Sequence, residues 1–301
     1  MFLRPFHMIP DDTKIDFVSL RKVGFSLTII LMLVTIFSLF THGLNLGIDF
    51  KGGILIEAKA ENPVDVAALR NDLSTLGLGE IALQEFGAHE DILIRIQRQE
   101  GGEEEQQAAV AKVREKLGPS YDYRRVEVVG PTIGKELFEA GLLATLLAIA
   151  AIAGYVAVRF EWQFGLAAFA ATLHDVFVTV GLYSFLDLDF NLTAIAALLT
   201  LAGYSINDTV VVFDRIREIM RRQKVKDLRT LINLSVNQTL SRTLMTALTT
   251  LLALIPLVLI GGQTLFTFSL ALTWGILVGT YSSIYVAAAL MLYMPPLKQL
   301  K

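Results

Sequence analysis

The chain contains no cysteine. That excludes disulfide scaffolds, cysteine-ligated zinc and thiolate nucleophiles together. Histidine is nearly as scarce, with four scattered residues and no metal-ligand spacing. Charge is thin: 18% of the 301 residues are charged, where a soluble domain carries about 25%. In its place stands apolar mass, 53% of the chain, gathered in blocks as in a polytopic membrane protein. The net charge of −3 hides a sorting of signs along the chain.

Six blocks are long enough to span a bilayer: 24–40, 137–158, 164–186, 190–213, 243–260 and 265–293. A spanning helix takes about 20 residues, roughly 17–25. The first block follows Arg21 and Lys22, as a signal-peptide core would. It is preceded by a long stretch, however, and Thr41-His42-Gly43-Leu44-Asn45 offers no small-x-small cleavage site, so it reads as an uncleaved helix. Threading six helices puts every basic cluster on one side. Arg4, Lys14, Arg21 and Lys22 fall in 1–23, Arg159 between the second and third spans, and Lys298 and Lys301 in 294–301. Arg215, Arg217, Arg221, Arg222, Lys224, Lys226 and Arg229 crowd the loop expected over 214–242. The opposite loops are acidic (Asp187-Leu188-Asp189) or uncharged (Gly261-Gly262-Gln263). Lys and Arg in short loops mark the cytoplasmic side. Both termini are therefore expected in the cytoplasm, with 41–136 on the outer side, in the periplasm. The basic run reads as a topology and lipid-headgroup surface. It lacks the aromatic interleaving of a nucleic-acid binder.

The outer segment alternates element types. A strand is expected at 53–60, then a helix opened by Pro63 and running to Leu76 with Val64, Ala67, Ala68 and Leu76 on one side. Strands at 81–86 and 91–97 follow around a turn at 87–90, then a charged helix at 103–117 and a last strand at 121–129. The order βαββαβ is that of a small α+β ferredoxin-like unit. His89, Glu90 and Asp91 are adjacent but too few for a metal site, and read as a solvated hairpin tip. No enzymatic set is present, so the domain is expected to hold or contact something.

Ionisable groups inside apolar spans carry the functional information. Asp208 lies in the fourth span, where a carboxyl costs roughly 2.5–3.5 kcal/mol on insertion scales if it faces lipid. Asn207 and Thr209 flank it; Tyr204 at i−4 and Ser205 at i−3 are placed to share its face. His174 and Asp175 sit mid-way along the third span, pointing about 100° apart, as a relay or as a structural hydrogen-bonded network. Arg242 opens the fifth span. Acid, imidazole and guanidinium in separate spans point to movement of protons or ions. The plain alternatives are a helix-end carboxylate for Asp208 and a snorkelling cation for Arg242. Pro256 is a potential kink in the fifth span, and Gly275 with Gly279 forms a GxxxG in the sixth.

Two glycine-bearing words flank the outer domain: GIDFKGG at 47–53, with Gly47, Asp49, Gly52 and Gly53, and VGPTIG at 129–134, with Gly130, Pro131 and Gly134. Further words are RFEWQ at 159–163, HDV at 174–176, GYSINDTVVVFDRIRE at 203–218 and SVNQTLSRT at 235–243. In this order they make the chain similar to the SecF family, membrane components of bacterial protein export. Lys51 departs from the pattern, standing where a small polar residue is usual.

The resemblance implies half of a resistance-nodulation-division (RND) transporter, six helices with the glycine words as domain hinges. It implies a SecD partner supplying the other half, work beside SecYEG and SecA on unfolded secretory protein, and a place in the bacterial inner membrane among its lipids. It implies no enzymatic activity and no cofactor. The coupling ion is a proton, or sodium in some members. By the same resemblance Asp208 and Arg242 form the relay, with His174 and Asp175 as further members and Asn207, Thr209, Tyr204 and Ser205 supporting. A half-subunit of an RND exporter for small molecules or lipids is the rival reading. It needs large porter and docking domains, for which the outer segment leaves no room. A passive scaffold is the third, and requires Asp208 and Arg242 to be dispensable.

Overall fold

A computed structural model describes residues 13–86, 88–223 and 227–297. Arg4, Gly87, Lys224, Lys226, Lys298 and Lys301 lie outside the described residues.

In chain order, α1 (Arg21–Thr41) and a single turn α2 (Ile48–Lys51) lead into the outer unit. That unit comprises β1 (Gly53–Ala60), α3 (Val66–Ser74), β2 (Ile81–Phe86), β3 (Ala88–Ile96), α4 (Glu103–Leu117) and β4 (Tyr121–Val129). Then come α5 (Pro131–Arg159), α6 (Trp162–Phe185), α7 (Leu192–Gln223), α8 (Leu228–Ile260) and α9 (Gly262–Ser282). A π-helical turn, Ser283–Ala288, extends α9. Six of the helices are long and apolar enough to cross a membrane.

The four strands form one antiparallel sheet in the order β2-β3-β1-β4. Strand alternation sends Ile54, Ile56 and Ala58 of β1, with Ile92, Ile94 and Ile96 of β3, to one face. There they pack with Leu69 and Leu73 of α3 and Ala109, Val113 and Leu117 of α4. The other face carries Leu55, Glu57, Leu93 and Arg95.

Three expectations are corrected. The first helix of the unit begins at Val66, because Asp65 caps it by accepting from the Ala67 and Ala68 amides. Pro63 and Val64 precede it, and the helix buries Leu69 and Leu73 instead of the expected stripe. His89, Glu90 and Asp91 belong to β3, not to a turn. His89 meets Glu85 across the hairpin at 3.1 Å, and Asp91 pairs with Arg124 of β4 at 3.1 Å. The basic run expected as a short loop is largely helical among the described residues. α7 runs on to Gln223, and α8 starts at Leu228 under an Asp227 cap, whose carboxylate accepts from the Thr230 amide at 3.0 Å. Hydrogen bonds from Thr230 and Arg229 hold the Asp227 carboxyl below the usual range.

Within the bundle α6 and α9 are the most enclosed helices and α7 follows. α1, α5 and α8 lie outside, exposing Leu33 and Phe37, Leu143 and Leu147, and Leu252 and Leu259. Small residues set the inner contacts. A Cβ at Gly275 would come within 2.5 Å of the Leu201 side chain, and one at Gly279 within 3.3 Å of the Ser205 Cβ. The GxxxG of α9 thus presses against α7. Gly275→Val is expected to overpack this contact and lower stability by about 1–3 kcal/mol, read as a lower melting temperature in detergent. Gly154→Val, in open space, serves as the neutral control.

Candidate functional site

α7 positions Asp208 sixteen residues beyond Leu192, about 24 Å along the helix at 1.5 Å per residue. The side chain is turned inward and buried. Across the α7–α8 contact, the positive charge of Arg242 and the Thr246 side chain both act on its carboxylate. Arg242 and Thr246 are one turn apart on α8, so both stand on the side of that helix that faces Asp208. Arg242 itself is exposed. It lines an open cavity of about 680 Å³ between α5, α7 and α8, together with Arg159, Asn207, Asp214, Glu218 and Gln238. Arg215 at the rim donates to Gln238 at 2.7 Å and pairs with Glu218. Asp208 does not itself line this polar vestibule, whereas Arg242, whose charge acts on it, does. Asn207 faces that vestibule, while Thr209 points away into the packed bundle with its hydroxyl joined to no other protein group.

His174 and Asp175 are not split between faces as their spacing suggests: both are buried. His174 Nδ1 lies 2.9 Å from Asp175 Oδ1. Ser282 donates to the other carboxylate oxygen at 2.7 Å. Ser205 donates to that same oxygen, so it belongs to Asp175 and not to Asp208. One carboxylate thus ties α6, α7 and α9 together. His174 Nε2 and the Tyr204 hydroxyl are buried and joined to no other protein group. Two contributors escaped the sequence reading. Ser282 is one of a serine pair in an apolar span, a visible oddity. Thr246 stands at i+4 from Arg242 within a threonine run.

The glycine words act as ties more than as free hinges. Asp49 accepts from the Leu192 amide at 2.8 Å, and Asn191 accepts from the Ala194 amide at 3.0 Å. Together they cap α7 at its first turn. Gly47 lies where a Cβ would sit 3.0 Å from Asn191, and its amide donates to the Phe190 carbonyl. Gly52 and Gly53 both have positive φ, which lets the chain turn sharply into β1. Gly130 precedes α5, Pro131 opens it, and a Cβ at Gly134 would meet the Phe50 carbonyl at 2.6 Å. Above this junction Arg95 of β3 forms an ion pair with Asp189 of the α6–α7 loop. Burial pushes the Asp189 carboxyl above its usual range, and Arg95 pulls it the other way. The Asn45 side chain also donates to Asp189, at 3.3 Å.

Residues 109–296 match the family described as "Protein export membrane protein SecD/SecF, C-terminal". The chain belongs to the SecD/SecF family. Residues 37–64, spanning the first glycine word, match the SecD/SecF GG motif. Within the family it falls on the SecF side. It is 42% identical to the protein translocase subunit SecF of Rickettsia felis over 293 residues, covering 97% of this chain and 95% of that one. The SecF of Rickettsia prowazekii is likewise 42% identical, with 97% and 94% covered. Among solved structures, SecDF from Thermus thermophilus, a translocon-associated membrane protein, superposes with a TM-score of 0.85 at 38% identity. The match covers 95% of this chain and 39% of that longer one. A SecDF structure in a super-membrane-facing form gives a TM-score of 0.70 at 37% identity, covering 97% and 40%. The SecF family thus supplies a protein-transport role and a multi-pass membrane placement for the six helices.

Proposed function

We propose that this SecF chain couples an ion gradient to the completion of protein export, in partnership with SecD. The observation that carries the reading is Asp208: a buried carboxyl on α7, under the charge of Arg242, which itself lines an open polar cavity. Arginine stays charged at any physiological pH. It therefore favours ionised Asp208, and a proton arriving at Asp208 weakens the attraction between α7 and α8. A ligand shifts an equilibrium only by its differential affinity for the two states. Proton binding supplies that difference here. The coupling ion is read as a proton, with sodium the alternative.

The exposed surface of α7 supports the partnership. Ala196, Thr200, Gly203 and Asn207 form one outward stripe at three- and four-residue spacing, which Asp214 continues two turns on. Among the described residues of α7, Leu192 is the only large apolar side chain standing out to solvent. Lipid-facing helices expose Leu, Ile and Phe, as α1 does; a small, polar stripe suits another helix. The remaining length of the fused SecDF chain offers room for such a second half. The basic side is read as cytoplasmic, the sheet unit as periplasmic, and the membrane as the bacterial inner one. SecYEG, SecA and an unfolded secretory chain are the expected associates.

The test uses SecF and SecD co-reconstituted in vesicles with the export channel and its ATPase. Late-stage export is followed with and without an imposed proton gradient. Gradient-dependent acceleration is the expected result, and its absence in the native pair removes the reading. Arg242→Lys keeps the charge but loses the fork, so it should retain part of the acceleration, while Arg242→Gln should retain little.

A further inference from the structure

The sheet unit is joined to the helices at two covalent points, and these are neighbours. Gly53, the start of β1, pairs with Val129, the end of β4. Two adjacent attachments define an axis about which the unit can tilt. Fixing the tilt requires a third contact away from that axis. Arg95 is placed for this. It lies on β3, on the far side of β1 from β4, opposite Leu55. It points from the sheet face that the α3 and α4 helices leave uncovered, and pairs with Asp189.

Asp189 in turn stands at the head of α7. The loop that holds it is clasped by the segment entering the sheet unit: the Phe190 amide donates to the Asn45 carbonyl at 2.8 Å, and the Gly47 amide to the Phe190 carbonyl at 2.8 Å. Two residues further on, Asp49 caps the first turn of α7. A displacement of α7 therefore reaches the 187–191 loop without an intervening flexible stretch. From there it passes to the sheet through Arg95. Both members of the pair are largely enclosed, with side chains 19% and 12% exposed. A charge left there without its partner is strongly disfavoured, so the contact is maintained while the helices move.

Resting on the coupling reading above, we propose that Arg95 and Asp189 form a closed joint through which α7 drives the sheet unit during export. They are positioning residues: their contacts are with each other and with the junction, away from the relay carboxylate.

Four chains are compared in vesicles with SecD and the export machinery: native, Arg95→Glu, Asp189→Arg, and the double exchange Arg95→Glu/Asp189→Arg. Two quantities are read, proton flux through the complex and gradient-driven late export. Each single reversal should keep proton flux and lose about 5- to 150-fold of the gradient-driven export, the usual span of an energetic coupling between sites. The double exchange should restore export. Where a single reversal accumulates poorly, a second pair decides. The chain has no native cysteine, so Arg95→Cys/Asp189→Cys can be bridged by a short bis-thiol reagent. Bridging should recover export that the unbridged pair lacks. Export that survives both single reversals overturns the joint. So does failure of both the double exchange and the bridge to restore it, or a bridge that blocks export. Absence of proton flux in the native complex strikes the coupling reading instead, and is told apart by that readout.

Discussion

Asp208→Asn should insert, fold and bind SecD normally, yet lose the acceleration of late export by a proton gradient. Asparagine has nearly the shape of a protonated carboxyl. What it lacks is the ability to change charge beside Arg242. The chain is then fixed in the arrangement that protonation favours, and a gradient has nothing to bias. With couplings of about 1–3 kcal/mol typical between linked sites, the loss should be about 5- to 150-fold in gradient-driven export. The early ATP-driven steps should be untouched, which separates this outcome from general misassembly. Normal late export by Asp208→Asn under a full gradient would make SecF a scaffold, with Asp208 a structural group only.

Asp175→Ala should act on stability first. Three side chains converge on this carboxylate from three helices. Removing it strands His174, Ser205 and Ser282 in the most enclosed part of the bundle. Breaking a buried charged network at one member costs about 3–5 kcal/mol, enough to exhaust much of the margin of a typical fold. A sharp drop in melting temperature and in accumulated protein is the expected observation. Asp175→Asn retains an acceptor for the serines and should lose much less. If Asp175→Asn melts like the native protein but stops proton flux, the network belongs to the relay after all. Unchanged flux leaves it as the clamp that holds α6, α7 and α9 in register.

The spans were legible because lipid leaves the backbone no option but to satisfy itself within a helix. Apolar length then reports each one. The strands were nearly as plain: Ile92, Ile94 and Ile96 alternate with Leu93 and Arg95, and a period of two has one structural meaning. Harder was anything decided between helices. Spacing placed Ser205 on the face of Asp208, and spacing on a single helix is all that the sequence supplies there. Which neighbouring carboxylate wins the hydroxyl depends on how α9 leans on α7, and that is set by Gly275, Gly279 and Leu201 together. The pairing of Arg95 with Asp189 lay out of reach for the same reason. It joins two elements far apart in the chain, and neither residue breaks its local pattern. Polar caps shifted boundaries by a few residues, as Asp65 and Asp227 show. Both are Asp residues directly before a helix, so that part could have been read.

The π-helical turn at Ser283–Ala288 begins one residue after Ser282, which donates to Asp175. A π turn is an α-helix holding one residue more than it needs. Deleting a single residue inside it would return the stretch to regular winding and leave α9 continuous. Were the same residues wound as plain α-helix instead, with none removed, everything beyond would rotate by about 100° relative to Ser282. Val286 and Met291, now inside the bundle, would swing away from their present neighbours while the serine kept its carboxylate. Chain length in this one turn is thus a phase setting, which fixes how the polar centre and the apolar end of the same helix are oriented to each other.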